Sequence, residues 1–251
     1  MIALNLIMPP TLTQNNSEFP VPKSESWKMF NEISPRYDLL NRILSWGMDV
    51  RWRREIGKFL PIQENQSLLD LATGTADVVI ELVETNSQIV RAVGIDQAEK
   101  MLEQGRRKIA QKGLAQKIEL QRGDIQQIPF ADNSFDCVTI AFGIRNVSEP
   151  KRVLAEMLRV LKPGGRALVL EFSFASARPV RLFQLFYLRN IVPFVGFLVS
   201  GHYRAYRYLN QTIEKFPYGK NFCRMMEDVG FQRILEHPLF LQTATIYEGK
   251  K

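Results

Sequence analysis

The chain has 251 residues, 45% apolar and 24% charged, which is the balance of a globular domain large enough for one core or for a core carrying an elaboration. Two cysteines and two histidines, with no Cys/His ligand spacing, give neither a disulfide framework nor a metal site and fit a reducing cytoplasm. A net charge of +7 invites an anionic partner, but the basic residues are scattered and densest at 51–54 and 178–207, which suits a membrane surface at least as well as nucleic acid.

Residues 1–24 read as a disordered tail: no Lys or Arg precedes Lys23, and the apolar start is too short to span a bilayer. From Ser26 the apolar spacing is helical, through Trp27, Phe30, Ile33 and Tyr37 to Trp52, Ile56 and Phe59, with breaks expected at Ser34-Pro35 and Gly47. These short helices, residues 25–61, cannot form a core alone and are expected to cap the main domain, residues 62–251. There the chain alternates: strand 67–71, helix 76–83, strand 89–95, helix 98–112, strands 118–122 and 135–141, helix 150–161, a turn at Lys162-Pro-Gly-Gly165, and strand 167–172. That rhythm predicts an α/β fold on a mostly parallel sheet. Residues 173–215, rich in Phe, Tyr, Leu and Arg, read as an inserted helical lid. A helix over 219–229, stopped by Gly230, and an antiparallel pair of strands near 232–235 and 241–247 complete a sheet of about seven strands with helices on both faces. The longest apolar stretch, residues 182–199, is interrupted by Gln184, Arg189, Asn190 and Pro193, so no spanning helix is expected.

The stretch from Ser67 to Leu82 runs from an apolar strand ending in Asp70, through the small residues Ala72, Thr73, Gly74, Thr75 and Ala76, into a helix. Such a turn brings free N–H groups and a closely approachable backbone to the carboxyl edge of the sheet, as a nucleotide-type cofactor needs. It lacks the strict G-x-G-x-x-G pattern and also reads as an ordinary strand-to-helix turn. Asp96 closes the next strand, where an acid accepts from a ribose diol, or caps the following helix. Asp124 and Ile125 follow the third strand, placed to meet an adenine amino group and ring face; a surface-loop acid would look the same. Phe142-Gly-Ile-Arg145-Asn146 follows the fourth strand, and an adjacent Arg and Asn can hold a developing oxyanion or form a plain surface turn.

Asp70-Leu-Ala-Thr-Gly-Thr-Ala-Asp77, Gly123-Asp-Ile125, Phe142-Gly-Ile-Arg-Asn-Val147 and Arg159-Val-Leu-Lys-Pro-Gly-Gly165 resemble the Rossmann-like class I S-adenosylmethionine-dependent methyltransferases. With Tyr37-Asp-Leu-Leu-Asn41, Ala205-Tyr-Arg-Tyr-Leu209 and Phe216-Pro217, the resemblance narrows to the ubiquinone/menaquinone biosynthesis C-methyltransferases, nearest the demethylmenaquinone branch, and covers residues 25–249. It implies that Thr75, Asp96, Asp124 and Ile125 hold S-adenosylmethionine, that Asp70, Ala72 and Gly74 shape its methionine end, and that Tyr37, Arg145 and Asn146 face a prenylated quinol. Three positions depart from the pattern: Ala76 where Gly is common, Ala141 where a cofactor-contacting Ser is common, and His202 where an acid is common. The first two cost at most one side-chain hydrogen bond, about 0.5–1.5 kcal/mol.

The reaction implied is methyl transfer from S-adenosylmethionine, without a metal, to a quinol carbon, with demethylmenaquinol becoming menaquinol. A ubiquinone-pathway benzoquinol or demethylphylloquinol is the alternative substrate. Tyr37, Asp38 and His202 are the candidate bases. The lid's aromatics suit an isoprenoid tail and its arginines an anionic membrane surface, and a homodimer is compatible with the sequence. An NAD-dependent oxidoreductase would explain the turn and Asp96 but not the Arg-Asn loop, and a non-catalytic binding module would keep the fold alone. No basic stripe with interleaved aromatics marks a nucleic-acid partner.

Overall fold

The computed structural model describes residues 21–200 and 203–251. The expected tail thus lies outside the described residues up to residue 20, as does His202, and the chain enters through a short 3-10 turn at Lys23–Glu25. Helix α1, Ser26–Leu44, is a single helix where a break at Pro35 was expected. Pro35 has no N–H for the Asn31 carbonyl, but the Ser34 hydroxyl donates to that oxygen at 3.1 Å, so the carbonyl left over by proline is satisfied and the helix continues. Gly47, at φ 75°, does end the segment, and α2 follows at Met48–Ile56.

The sheet contains β1 (Gln66–Leu71), β2 (Ile89–Asp96), β3 (Ile118–Arg122), β4 (Phe135–Ala141), β5 (Leu161–Phe172), β6 (Gln232–Leu239) and β7 (Ala244–Lys250) in the order β3-β2-β1-β4-β5-β7-β6. The first five are parallel and β7 is antiparallel to both β5 and β6, as the terminal pair without a crossover predicted. Both terminal strands differ from their expected bounds: β6 extends to Leu239, and Leu241, expected in the last strand, sits at φ 50° in the turn between them. The expected turn at Lys162–Gly165 is a bulge inside β5: Leu161 pairs with Phe135 and Arg166 with Cys137, and the four residues between loop out of register. Gly165 is required there, because a Cβ would stand 2.9 Å from the Lys162 carbonyl oxygen.

Helices α3 (Asp77–Thr85), α4 (Glu99–Gln111), α5 (Pro150–Val160) and α9 (Lys220–Val229) cover the sheet. Leu69, Val138 and Val169 face Met157, Phe222 and Met226 on one side; Leu68, Leu168 and Ile246 face Trp52, Ile56, Val79 and Leu82 on the other. Between β5 and α9 the chain forms α6 (Arg178–Phe186), a π-turn at Tyr187–Ile191, α7 (Val192–Ser200) and α8 (Tyr203–Lys215). A third cluster, with Met29, Ile33 and Leu40 of α1 against Leu188, Val192, Tyr208 and Ile213, joins these helices to the N-terminal ones. Among the described residues no helix is long and apolar enough to cross a membrane.

Candidate active site

β1 lies between β2 and β4, so connections leave it in opposite directions and open a crevice at its carboxyl end, where open α/β sheets take ligands. Asp70 sits at this edge, 1% exposed; Thr139 of β4 donates to its Oδ1 at 2.6 Å, while Oδ2 is buried with no hydrogen-bond partner. Burial pushes the Asp70 carboxyl up to about 6. The chain then turns through Ala72, Gly74 and Ala76, at φ 49°, 56° and 67°. Gly74 adopts the left-handed region freely and faces open space, whereas each alanine there costs about 1–2 kcal/mol of backbone strain. What Ala76 costs where glycine is common is therefore strain rather than a hydrogen bond.

Asp96 does not cap α4, whose N-cap is Ala98 without a side-chain bond; it stands two residues earlier and holds two backbone N–H groups. Its Oδ1 accepts from the Ala98 N–H at 2.8 Å, at the start of α4, and its Oδ2 accepts from the Gly74 N–H at 2.9 Å, tying the turn to β2. Burial raises its carboxyl above the ordinary range against the pull of those donors. Past β4, Phe142 is at φ 56° and the loop runs to Asn146. Gly143 allows it to meet the β1 turn, since a Cβ there would stand 2.6 Å from the Ala72 Cβ. Arg145 is 4% exposed; its Nη1 donates to the Phe142 carbonyl at 2.6 Å and to Glu171 Oε1 at 2.7 Å.

Two cavities meet at this edge. The smaller, about 200 Å³, is lined by Asp96, Asp124, Ile125, Met101 and Trp27. The larger, about 840 Å³, is lined by Asp70, Thr75 and Arg145 and by an apolar wall that includes Trp52, Phe172, Phe183, Phe186 and Leu209. Tyr37, Ala72, Gly74, Ala141, Phe142 and Asn146 line both. Every residue that the resemblance placed at cofactor or quinol therefore borders one of two adjoining spaces. Thr75 and Asp38 differ from expectation in what they do. The Thr75 hydroxyl donates to Asp38 Oδ1 at 2.7 Å and accepts from Lys108 Nζ at 3.0 Å, and Lys108 also pairs with Asp38 and, at 2.6 Å, with Asp77. Asp38, expected as a candidate base, lines neither cavity and is held by Lys108 against the turn. Despite burial, Arg53 and Lys108 hold the Asp77 carboxyl below its ordinary range. Tyr37 does border the cavities, but desolvation raises its phenol, so it is a hydrogen-bond donor near neutral pH rather than a base.

Residues 21–251 match the model of the ubiE/COQ5 methyltransferase family. This chain belongs to that family. It is 44% identical over 223 residues to the ubiquinone/menaquinone biosynthesis C-methyltransferase of Geobacter sulfurreducens, covering 89% of this chain and 87% of that one. It is 41% identical over 228 residues to the demethylmenaquinone methyltransferase of Thermotoga maritima, covering 90% and 96%. A SAM-dependent methyltransferase from Thermotoga maritima shares the fold, with a TM-score of 0.60 at 17% identity over 90% of this chain and 99% of its own. The chain is a methyltransferase.

The residues present fit S-adenosylmethionine, the co-substrate that the sequence resemblance implies. The partnerless, buried Asp70 Oδ2 is an acceptor waiting for a cationic group, and the open space over Gly74 lets backbone approach a ligand. Asp96 keeps lone pairs for a diol beside Ile125. Gly143→Ala should separate the β1 turn from the Arg145 loop; overpacking of this kind costs about 1–3 kcal/mol, so thermal unfolding should move down and affinity for S-adenosylmethionine should fall with it. An unchanged affinity would show that the contact of loop and turn does not shape the site.

Sequence reasoning missed Glu171 and Lys108. Glu171 had a signal, an acid inside the apolar run from Ala167 to Phe172 of a buried strand. Lys108 is one of several charges on α4, and nothing in its spacing marks it.

Proposed function

We propose that this enzyme methylates a ring carbon of a prenylated quinol, converting demethylmenaquinol to menaquinol, with Arg145, Asn146 and Tyr37 at the quinol. The observation that carries the reading is the apolar 840 Å³ cavity sharing the wall of Tyr37, Ala141, Phe142 and Asn146 with the smaller one, which gives a lipid-like substrate a place beside the methyl donor. Relatives named demethylmenaquinone methyltransferase support the naphthoquinol. When bound, S-adenosylmethionine supplies an activated methyl electrophile. The protein's part is to align the ring carbon with it and to make that carbon nucleophilic. A quinol hydroxyl gives its proton to solvent water and pushes charge onto the ring carbon, that carbon takes the methyl as it leaves sulfur, and the ring hydrogen then departs as a proton to water, restoring aromaticity; the Arg145 guanidinium stabilises the oxygen's negative charge through a charge-assisted hydrogen bond. Tyr37, kept protonated, donates to a quinol oxygen. Incubation with methyl-labelled S-adenosylmethionine and reduced demethylated naphtho- and benzoquinols should place label on carbon of the naphthoquinol; label on neither sinks the reading.

The mouth of the large cavity gives the substrate's tail a route to a bilayer. Phe183 and Phe186 of α6, Trp46 and Leu241 line the cavity and are also 58–82% exposed. Arg178 and Arg181, on the same helix as the two phenylalanines, are exposed and have no ion-pair partner among the described residues. Apolar rim and free cations together suit the surface of an anionic bilayer. Each basic residue at such a surface contributes about 1 kcal/mol, so replacing Arg178 and Arg181 with Ala should weaken binding to anionic lipid vesicles roughly 30-fold at low salt. Equal binding by the variant would remove this face as the docking surface.

A further inference from the structure

The most deeply buried charged contact of the site lies behind its wall. Glu171, 1% exposed near the end of β5, lines neither cavity and meets Arg145 at 2.7 Å. The Phe172 N–H donates to the same Oε1 at 2.9 Å, so the carboxylate is anchored to its own strand while it holds the guanidinium. The rings of Phe172 and Phe142 flank that guanidinium at 5.2 and 6.0 Å. As a device for stability the pair is poor, because Arg145 Nε and Glu171 Oε2 are buried without partners, and an apolar replacement of a buried ion pair is commonly as stable or more so. Its geometry, by contrast, leaves the guanidinium one orientation. We infer that Glu171 is the positioning residue of the methyl-transfer step, fixing the Arg145 guanidinium at the cavity wall where the quinol oxygen gathers charge.

This rests on the quinol reading of Arg145, and a double-mutant cycle separates the two. Glu171→Gln keeps the shape and removes the charge. It should lower kcat about 100-fold, the scale of an ångström-sized misplacement, with KM for the quinol and affinity for S-adenosylmethionine within about threefold of wild type. Arg145→Met should lose more. Arg145→Met/Glu171→Gln should be no slower than Arg145→Met, because Glu171 acts only through the guanidinium. The double variant buries no charge, so it tests the proposal even where Glu171→Gln fails to fold, and bound S-adenosylmethionine reports folding of each variant. Wild-type kcat in Glu171→Gln, or losses that multiply in the double variant, would overturn the inference while leaving quinol methylation intact. Wild-type kcat in Arg145→Met would overturn the role of Arg145 itself, and this inference with it.

Discussion

Arg145→Ala should lower methyl transfer to the quinol by about 10²–10³-fold, the usual cost of losing one preorganised donor to a developing oxyanion, and leave affinity for S-adenosylmethionine close to that of wild type. The asymmetry follows from placement: Arg145 lines the large cavity but not the small one, where Asp96 and Asp124 lie. A neutral quinol gains little from a guanidinium and its anion gains much, so the loss falls on kcat more than on KM. Equal losses in turnover and cofactor affinity would refute the role. The variant also strands Glu171, and leaving one member of a buried pair charged costs about 3–5 kcal/mol. Burial already raises the Glu171 carboxyl, and Arg145 is the strongest influence lowering it. Without Arg145 the folded-state value rises further above the unfolded one, the folded state binds the extra proton, and the variant's stability falls as pH rises through that window. Thermal unfolding should therefore separate variant from wild type more widely at pH 8 than at pH 5.

The order of strands and helices was legible because period and punctuation agreed: β1 ends at Asp70 before a run of small residues, and Gly230, at φ 112°, stops α9 where expected. The carboxyl-edge placement of Asp96, Asp124 and Arg145 followed from that order alone, since each ends or follows a strand. Two local signals misled, each for a reason in the chain. Pro35 looked like a helix break, but Ser34 takes over the carbonyl it abandons. Lys162-Pro-Gly-Gly165 looked like a turn before a strand, but neighbouring β4 pairs on both sides of it. What stayed hidden were pairings across elements. Thr75 binds Asp38 and Lys108, and Arg145 binds Glu171, at separations of 37, 33 and 26 residues. Residue type showed that each could hydrogen-bond; only the packing of α1, α4 and β5 decided with what.

Asp70→Asn should move stability and binding in opposite directions. Its carboxyl rises from the unfolded 3.8 to about 6 through burial. A group raised in this way binds its proton more tightly when folded, so the native state loses stability as pH climbs from 4 to 6, by roughly 3 kcal/mol at neutral pH. An amide keeps the acceptor that Thr139 Oγ1 uses and leaves a neutral N–H where a partnerless charged oxygen stood. After the cost of that donor, a net gain of about 1 kcal/mol remains, or a rise in Tm of roughly 2–4 °C for a chain of this size. Binding goes the other way. A hydrogen bond from a cationic group to the Asp70 carboxylate contributes about 1.5–3 kcal/mol, so affinity for S-adenosylmethionine should fall roughly 10- to 150-fold. In the wild type that affinity should climb as pH rises through 6 and then level off, because only the ionised carboxylate attracts the cation; in Asp70→Asn it should be flat over the same range. Calorimetric titration at pH 5, 6 and 7.5, with thermal unfolding of the unliganded proteins, checks both halves. A variant that melts lower and binds as well as wild type would make Asp70 a support of the sheet, with the cofactor's charge met elsewhere in the crevice.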